Sequence, residues 1–212
     1  MTSSVADHIR RLVDVTVAAT GLIVASPVLA AAAVATRATA GRGVVYRQRR
    51  LGLAGRPFEL LKFRSMRHPA PGREAPEFDD ERLTSVGQWL RATSLDELPS
   101  LWNLLRGEIT LVGPRPLPVH YWDRLVGDEY ERFEVRPGIT GLAQINGRNT
   151  IDWPERLALD VEYVRTRSLL GDLRILLATV PAVLARSGVD HAEGVTMHEL
   201  PANRASRELV RE

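Results

Sequence analysis

Two adjacent carboxylates, Asp96 and Glu97, are the strongest candidates for chemistry in this sequence. Ionised carboxylates can bind a divalent metal or attack phosphorus. A purely structural explanation is also open, because Ser94 and Glu97 have the spacing of a helix capping box. Pro99 is tolerated best in the first turn, which predicts a helix start close to Leu98. Either way the pair lies at a helix N-terminus, where the dipole favours ionised carboxylates.

Arginines flank this acidic pair on both sides. Arg91 precedes it, and Arg115 follows between Pro114 and Pro116. The two prolines bias the segment toward extended backbone, so the Arg115 guanidinium has little freedom left to lose. A guanidinium held in this way suits bidentate phosphate binding, although Pro-Arg-Pro alone also fits an ordinary surface turn.

Four segments taken together are more specific than either motif alone. They are KFRSM at 62–66, TSLDELPSLWN at 93–103, LVGPRPL at 111–117 and RPGITGLAQINGR at 136–148. In order and spacing they resemble the bacterial polyprenol-phosphate phosphoglycosyl transferases, monotopic sugar transferases that start glycan assembly on a lipid carrier. The resemblance covers roughly residues 9–185.

The resemblance implies an activity and a set of site residues. Asp96 is expected to attack the phosphorus nearest the sugar of a nucleoside diphosphate sugar, expected to be a UDP-sugar. Glu97 is expected to help hold Mg²⁺ or orient Asp96. The acceptor is expected to be undecaprenyl phosphate. The residues expected to bind substrate phosphates are Lys62, Arg64, Arg91, Arg115, Arg136 and Arg148.

Three of these cationic residues are candidates for phosphate binding even without the family resemblance. Lys62 is the only lysine of the chain, so a compact ammonium is selected where arginine serves elsewhere. A solvated strand residue is the plainer explanation of Lys62. Arg136 and Arg148 bracket a glycine-rich loop that can bring backbone amides to a phosphate, but loops of this composition are common.

Length and composition limit the number of domains, the kinds of metal site and the binding partners. A chain of 212 residues fits one compact domain, and the absence of cysteine excludes a disulfide framework and a thiolate zinc site. The net charge is only +2, but residues 37–67 hold nine Lys/Arg against one acid. Because this basic block follows an apolar segment, it favours anionic lipid or phosphorylated substrate over nucleic acid.

The apolar segment at 15–36 is long enough to reach across a membrane. Its 22 residues carry no formal charge, and the length argues against a cleaved signal peptide. However, Ser26-Pro27 interrupts its middle, and arginines flank both ends. Since positive charge tends to stay on the cytoplasmic side, we expect a re-entrant helix over about 10–37, with Ser26 and Pro27 as its hinge, rather than a simple span.

The rest of the chain predicts a mixed α/β, mainly helical fold. Residues 44–66 predict two short strands joined by a Gly-Leu-Ala-Gly turn, and 68–82 predict a loop. Amphipathic helices are predicted over 119–133 and 152–167, and an apolar helix lying on the membrane or capping the domain is predicted over 169–186. We expect a compact monotopic membrane domain with interfacial helices.

These elements define the expected organisation. A single domain is predicted over 1–186, with its catalytic part at about 41–186, and 187–212 are predicted to form a polar, poorly ordered tail. The expected location is the cytoplasmic face of the bacterial inner membrane. The sequence leaves the sugar, the pathway and the oligomeric state open, so a homo-oligomer remains compatible with it.

Two other functions stay open. One is a membrane-bound glycosyltransferase that moves the sugar alone and releases UDP. The other is a membrane adaptor without enzymatic activity, which leaves the carboxylate pair and Pro-Arg-Pro unexplained. A phosphate-binding P-loop, an HExxH zinc motif and the DG…AR…G…D pattern of CDP-alcohol phosphotransferases are all absent.

Overall fold

Helices predominate and strands are short, as predicted from the sequence. The structure is a computed structural model that describes residues 4–70, 72, 78–147, 151–184 and 200–201. The α-helices are α1 (Val5–Val24), α2 (Ser26–Ala40), α3 (Asp79–Arg82), α4 (Ser85–Ala92), α5 (Leu101–Arg106), α6 (Leu142–Ile145), α7 (Trp153–Thr166) and α8 (Leu169–Leu184). The strands are β1 (Val45–Leu51), β2 (Pro57–Phe63), β3 (Thr110–Val112) and β4 (Gly138–Thr140).

Packing groups the chain into two compact units. The first comprises residues 1–14, 49–58 and 107–212, and the second comprises 15–48 and 59–106. Both α1 and the β1–β2 pair begin in one unit and continue into the other. The single domain predicted over 1–186 stays a prediction.

The predicted interruption of the apolar segment is present. α1 ends at Val24 and α2 begins at Ser26, with a bend of 63° between them. Pro27 cannot donate to the carbonyl of Ile23 four residues earlier, and the Ser26 hydroxyl donates to that carbonyl instead, at 2.7 Å. Among the described residues no single helix is long and apolar enough to span a membrane, whereas α1 and α2 meet that criterion only as a bent pair.

The core of the second unit lies between α2, α4 and the end of β2. Ala32, Phe63 and Leu90 form its buried cluster. Thr84 caps α4 by accepting from the amide of Gly87 at 2.9 Å. A Cβ at Gly87 would lie 1.9 Å from the carbonyl oxygen of Ser65, so only glycine lets α4 approach the chain after β2 this closely.

The first unit contains the parallel pair of β3 and β4, in register at Thr110 with Gly138 and at Val112 with Thr140. Helices α7 and α8 pack beside this pair. The Tyr163 hydroxyl of α7 donates to the carbonyl of Val112 at 2.9 Å, which ties α7 to β3. α7 begins where the sequence predicts, with Asp152 as the cap that accepts from the amide of Glu155.

Residues 119–133 do not form the predicted amphipathic helix. They form two 3₁₀ helices, Val119–Arg124 and Gly127–Phe133, because Leu125 and Val126 are extended and Gly127 has a φ of 51°. Tyr121 and Leu125 are nevertheless buried in the core, whereas Trp122 is 38% exposed.

Two further expectations need correction. The loop predicted over 68–82 ends in the short helix α3, and residues 71 and 73–77 lie outside the described part of the chain. In the tail, Leu200 is fully buried with Leu51, Leu117 and Leu157, although a polar and poorly ordered segment was expected there. Arg124 donates to the Leu200 carbonyl at 2.7 Å. Most of the remaining tail lies outside the described residues.

Candidate functional site

The acidic pair lies in a tight 3₁₀ helix, Leu95–Ser100, that leads directly into α5. Ser94 precedes it in the left-handed region, with φ 58° and ψ 14°, and its side chain makes no capping hydrogen bond among the described residues. The capping-box interpretation is therefore wrong. A left-handed conformation costs an ordinary residue about 1–2 kcal/mol, and such strain is concentrated at functional sites.

Lys62 is brought to this acidic pair. Its ammonium nitrogen lies 2.7 Å from Oε1 of Glu97, and the two side chains are 17% and 29% exposed. The pair joins β2 to the 3₁₀ helix, so Glu97 is oriented by a fixed cation while Asp96 is its half-buried neighbour in sequence.

Asn103 fixes the relative position of these two elements, and sequence reasoning missed it. Its side-chain oxygen accepts from the amide of Leu61 at 3.0 Å, and its side-chain nitrogen donates to the carbonyl of Glu59 at 2.7 Å. Asn103 is only 1% exposed. The amide therefore pairs with β2 as a neighbouring strand would, one residue before Lys62. Its neighbours Trp102 and Leu104 are apolar, but one polar residue between them does not by itself identify a buried side chain.

Arg91 and Arg64 lie on the same unit. The Arg91 Nε donates to the Ser65 hydroxyl at 2.9 Å, so α4 presents Arg91 beside the end of β2. Arg64 instead lies against Gly43 and contacts the ring of His68. Their predicted phosphate-binding roles stay predictions.

In the first unit, the Pro-Arg-Pro segment runs beside the glycine-rich segment. The amide of Gly138 donates to the carbonyl of Pro114 at 2.9 Å. A Cβ at Gly138 would lie 2.1 Å from the nitrogen of Gly113, and one at Gly141 would lie 2.3 Å from the oxygen of Gly113. The glycines are therefore required for close backbone approach, and they place the Arg115 segment beside the segment that begins at Arg136.

The backbone of Arg115 and of the proline that follows it is held by other arginines. Arg132 donates to the carbonyl of Arg115 at 2.8 Å, and Arg50 donates to the carbonyl of Pro116 at 2.9 Å. The rigidity expected from the prolines is thus reinforced by two long-range contacts that sequence reasoning missed.

Arg136 begins the glycine-rich segment, and its predicted phosphate-binding role stays a prediction. Its Nε donates to the carbonyl of Gly107 at 2.9 Å, and its side chain lines an open cleft with Arg11, Asp14 and Arg167. Arg148 lies outside the described residues.

A metal site made by protein alone is not found in the described part of the chain. No group of three or more His, Cys, Asp or Glu side chains there is arranged to hold a metal ion. Mg²⁺ usually needs only one or two carboxylates when substrate phosphates and water complete its coordination. Asp96 and Glu97 therefore fit a magnesium ion that arrives with a phosphorylated substrate.

The sequence of this chain is similar to those of known proteins. Residues 5–186 match the family model described as "Bacterial sugar transferase". The chain is 42% identical over 188 residues to the "Uncharacterized sugar transferase EpsL" of Bacillus subtilis (strain 168), covering 89% of this chain and 93% of that protein.

Two further relatives have more specific names. The chain is 41% identical over 185 residues to the "UDP-glucose:undecaprenyl-phosphate glucose-1-phosphate transferase" of Caulobacter vibrioides, covering 82% of this chain and 69% of that protein. It is 38% identical over 205 residues to the "Exopolysaccharide production protein ExoY" of Sinorhizobium fredii, covering 84% and 87% of the two chains.

Replacing Asn103 tests its structural role. Asn103→Ala leaves the Leu61 amide and the Glu59 carbonyl without this partner, so we expect a loss of about 1–3 kcal/mol in the free energy of unfolding. Urea unfolding in detergent measures it. Asn146→Ala is the matched control, because Asn146 is exposed and its side chain donates to the nearby Leu142 carbonyl. Equal stability of the two variants would contradict the assignment.

Proposed function

We propose, because the chain belongs to the bacterial sugar transferase family, that it transfers a sugar 1-phosphate from a UDP-sugar to undecaprenyl phosphate. The name of the Caulobacter vibrioides relative describes this reaction for glucose 1-phosphate. The observation that carries the proposal is the Lys62–Glu97 ion pair directly beside Asp96. It places a cation and two carboxylates in one small region, and fixed charges of both signs suit a reaction at phosphorus.

The proposed chemistry has two steps. A carboxylate oxygen of Asp96 forms a bond to the phosphorus nearest the sugar, the diphosphate P–O bond breaks, and UMP leaves with its electron pair. A phosphate oxygen of undecaprenyl phosphate then attacks the same phosphorus, and the Asp96 carboxylate leaves. Two displacements through a covalent intermediate predict ping-pong kinetics.

The surrounding residues are assigned supporting roles. Glu97, held by Lys62, orients the site and, with Asp96, would hold Mg²⁺. A bound Mg²⁺ neutralises phosphate charge and so lets anionic reactants approach. Arg64, Arg91, Arg115, Arg136 and Arg148 are proposed as phosphate-binding residues, which is the role that the family resemblance predicts for them.

We further propose that the bent pair of α1 and α2 enters one leaflet of the inner membrane from the cytoplasmic side and returns. Ile23 and Val24, at the bend, are 74% and 72% exposed, although both are strongly apolar. The Ser26 hydroxyl satisfies the carbonyl that Pro27 leaves open, which hydrocarbon surroundings require. A re-entrant helix brings the domain to the depth of the lipid phosphate.

The exposed side of α8 agrees with a membrane surface. Leu170, Leu173 and Leu177 lie at helical spacing and are more than half exposed. We propose that this face rests on the headgroup layer, as an amphipathic interfacial helix does.

The reaction is tested by identifying the released nucleotide. Protein in nanodiscs is incubated with undecaprenyl phosphate, Mg²⁺ and a panel of UDP-sugars. We expect UMP from at least one donor, and we expect Asp96→Asn to reduce its release by roughly 10³-fold or more, as loss of a nucleophile does. Asp123→Asn, the same change in another 3₁₀ helix at an exposed position, should keep native activity.

Other products would point to other functions. Release of UDP would indicate a glycosyltransferase that moves the sugar alone. A folded protein that releases no nucleotide from any UDP-sugar would leave a donor with another nucleotide or the adaptor.

The membrane proposal is tested at the bend. Ile23→Asp combined with Val24→Asp introduces two charges, each expected to cost about 2.5–3.5 kcal/mol if these side chains lie in hydrocarbon. We expect the double variant to move from the membrane pellet to the supernatant after a carbonate wash. Leu53→Asp, at an exposed leucine away from the bend, should stay in the pellet. An unchanged distribution of the double variant would exclude insertion at this point.

A further inference from the structure

Asp14 is a buried carboxylate in α1, directly before the apolar segment. It is the last residue with a formal charge before residues 15–36, and it is only 3% exposed. Burying a carboxylate is costly unless hydrogen bonds replace those that it made with water. The contacts of Asp14 therefore offset a cost that a neutral side chain would not have.

The two hydrogen bonds that Asp14 accepts both come from β3. The Leu111 amide donates to Oδ1 and the Thr110 hydroxyl donates to Oδ2, each at 2.9 Å. The Thr110 amide instead donates to the carbonyl of Pro137, just before β4, at 2.8 Å. Since successive amides of a strand point in opposite directions, Asp14 lies along the edge of β3 that faces away from β4. All of these residues belong to the first unit.

The chain between this contact and Arg115 is short and held in place. Three residues, 112–114, separate Leu111 from Arg115. Among them, the Gly113 amide donates to the carbonyl of Thr140 at 2.8 Å, and the proline that follows has a fixed φ. We therefore expect a displacement of β3 at Leu111 to move the backbone of Arg115 as well.

We propose that Asp14 is a positioning residue, which fixes β3 and so holds the Arg115 guanidinium where it binds a phosphate group of a reactant. This inference rests on the proposed function, in which Arg115 binds phosphate. A guanidinium binds phosphate best through two parallel hydrogen bonds, and a small shift of its backbone weakens both. Asp14 acts through Arg115 and needs no contact with the reactant.

A double-mutant cycle on ligand binding tests this role without requiring turnover. Titration calorimetry of the full chain in nanodiscs, with Mg²⁺ present, uses inorganic pyrophosphate as the probe. We expect Asp14→Leu to weaken pyrophosphate binding by roughly 10-fold, within the usual range of coupling between residues of one contact network. In the Arg115→Gln background the same change should have no further effect, because the side chain through which Asp14 acts is absent.

Two variants serve as controls. Asp14→Asn should keep the native Kd, since its side-chain oxygen still accepts from the Leu111 amide and its nitrogen can donate to the Thr110 hydroxyl. Asp123→Leu, the same change as Asp14→Leu at an exposed position of the same unit, should also keep it. Circular dichroism checks folding. Should Asp14→Leu unfold, Thr110→Val carries the same comparison, because it removes only the hydroxyl that donates to Asp14.

Each outcome decides the proposal. A loss of binding that requires the Arg115 side chain and is absent from Asp14→Asn supports the positioning role. An equal loss with and without the Arg115 side chain would limit Asp14 to stabilising the fold and would overturn the role. A native Kd in folded Asp14→Leu or in Arg115→Gln, or no pyrophosphate binding by the native protein, would overturn it too. The coupled loss, in a protein whose native form turns over no UDP-sugar, would retain the positioning role and reject the proposed function.

Discussion

The side-chain amide of Asn103 holds together the part of the second unit that carries the acidic pair. Its two hydrogen bonds to β2 fix α5 and the preceding 3₁₀ helix against the strand that bears Lys62. The Lys62–Glu97 ion pair depends on this alignment, because a shift of β2 by one residue would move Lys62 to the opposite face. The chemistry assigned to Asp96 therefore depends on an amide that takes no part in it.

In the first unit, three glycines fix the alignment of two backbone segments, as Asn103 does in the second unit. Gly113, Gly138 and Gly141 let two backbone segments approach more closely than any side chain would allow, and this places the Pro-Arg-Pro segment beside β4. Arg132 then donates a hydrogen bond to the carbonyl of Arg115. Both reactants of the proposed transfer are multiply anionic, and an arginine on a fixed backbone has less conformational entropy to lose when it binds phosphate.

Local patterns predicted the elements whose signals lie close together in the chain. The start of α7 at Asp152 and Trp153, the turn between β1 and β2 and the break at Ser26-Pro27 follow from caps, glycines and prolines. The prediction of one helix over 119–133 was wrong, although the sequence pattern there is amphipathic. Gly127 and the extended residues before it interrupt the helix.

The contacts that complete the candidate site were not predictable in this way. Asn103 meets Leu61 across 42 positions of sequence, and Arg132 meets Asp160 across 28. Neither residue type announces its partner, and a buried asparagine looks like a surface residue until the packing is known. The burial of Leu200 could not be predicted for the same reason, since an isolated apolar residue in a polar tail carries no periodic signal.

Detection of the covalent intermediate tests the central claim most directly. The protein is mixed with Mg²⁺ and the UDP-sugar that supports turnover, without lipid acceptor, and its intact mass is measured after rapid quenching. The account predicts a mass increase of one sugar phosphate that disappears when undecaprenyl phosphate is added and that is absent from Asp96→Asn. An active protein that never shows this adduct, or an adduct that persists in Asp96→Asn, would contradict Asp96 as the nucleophile.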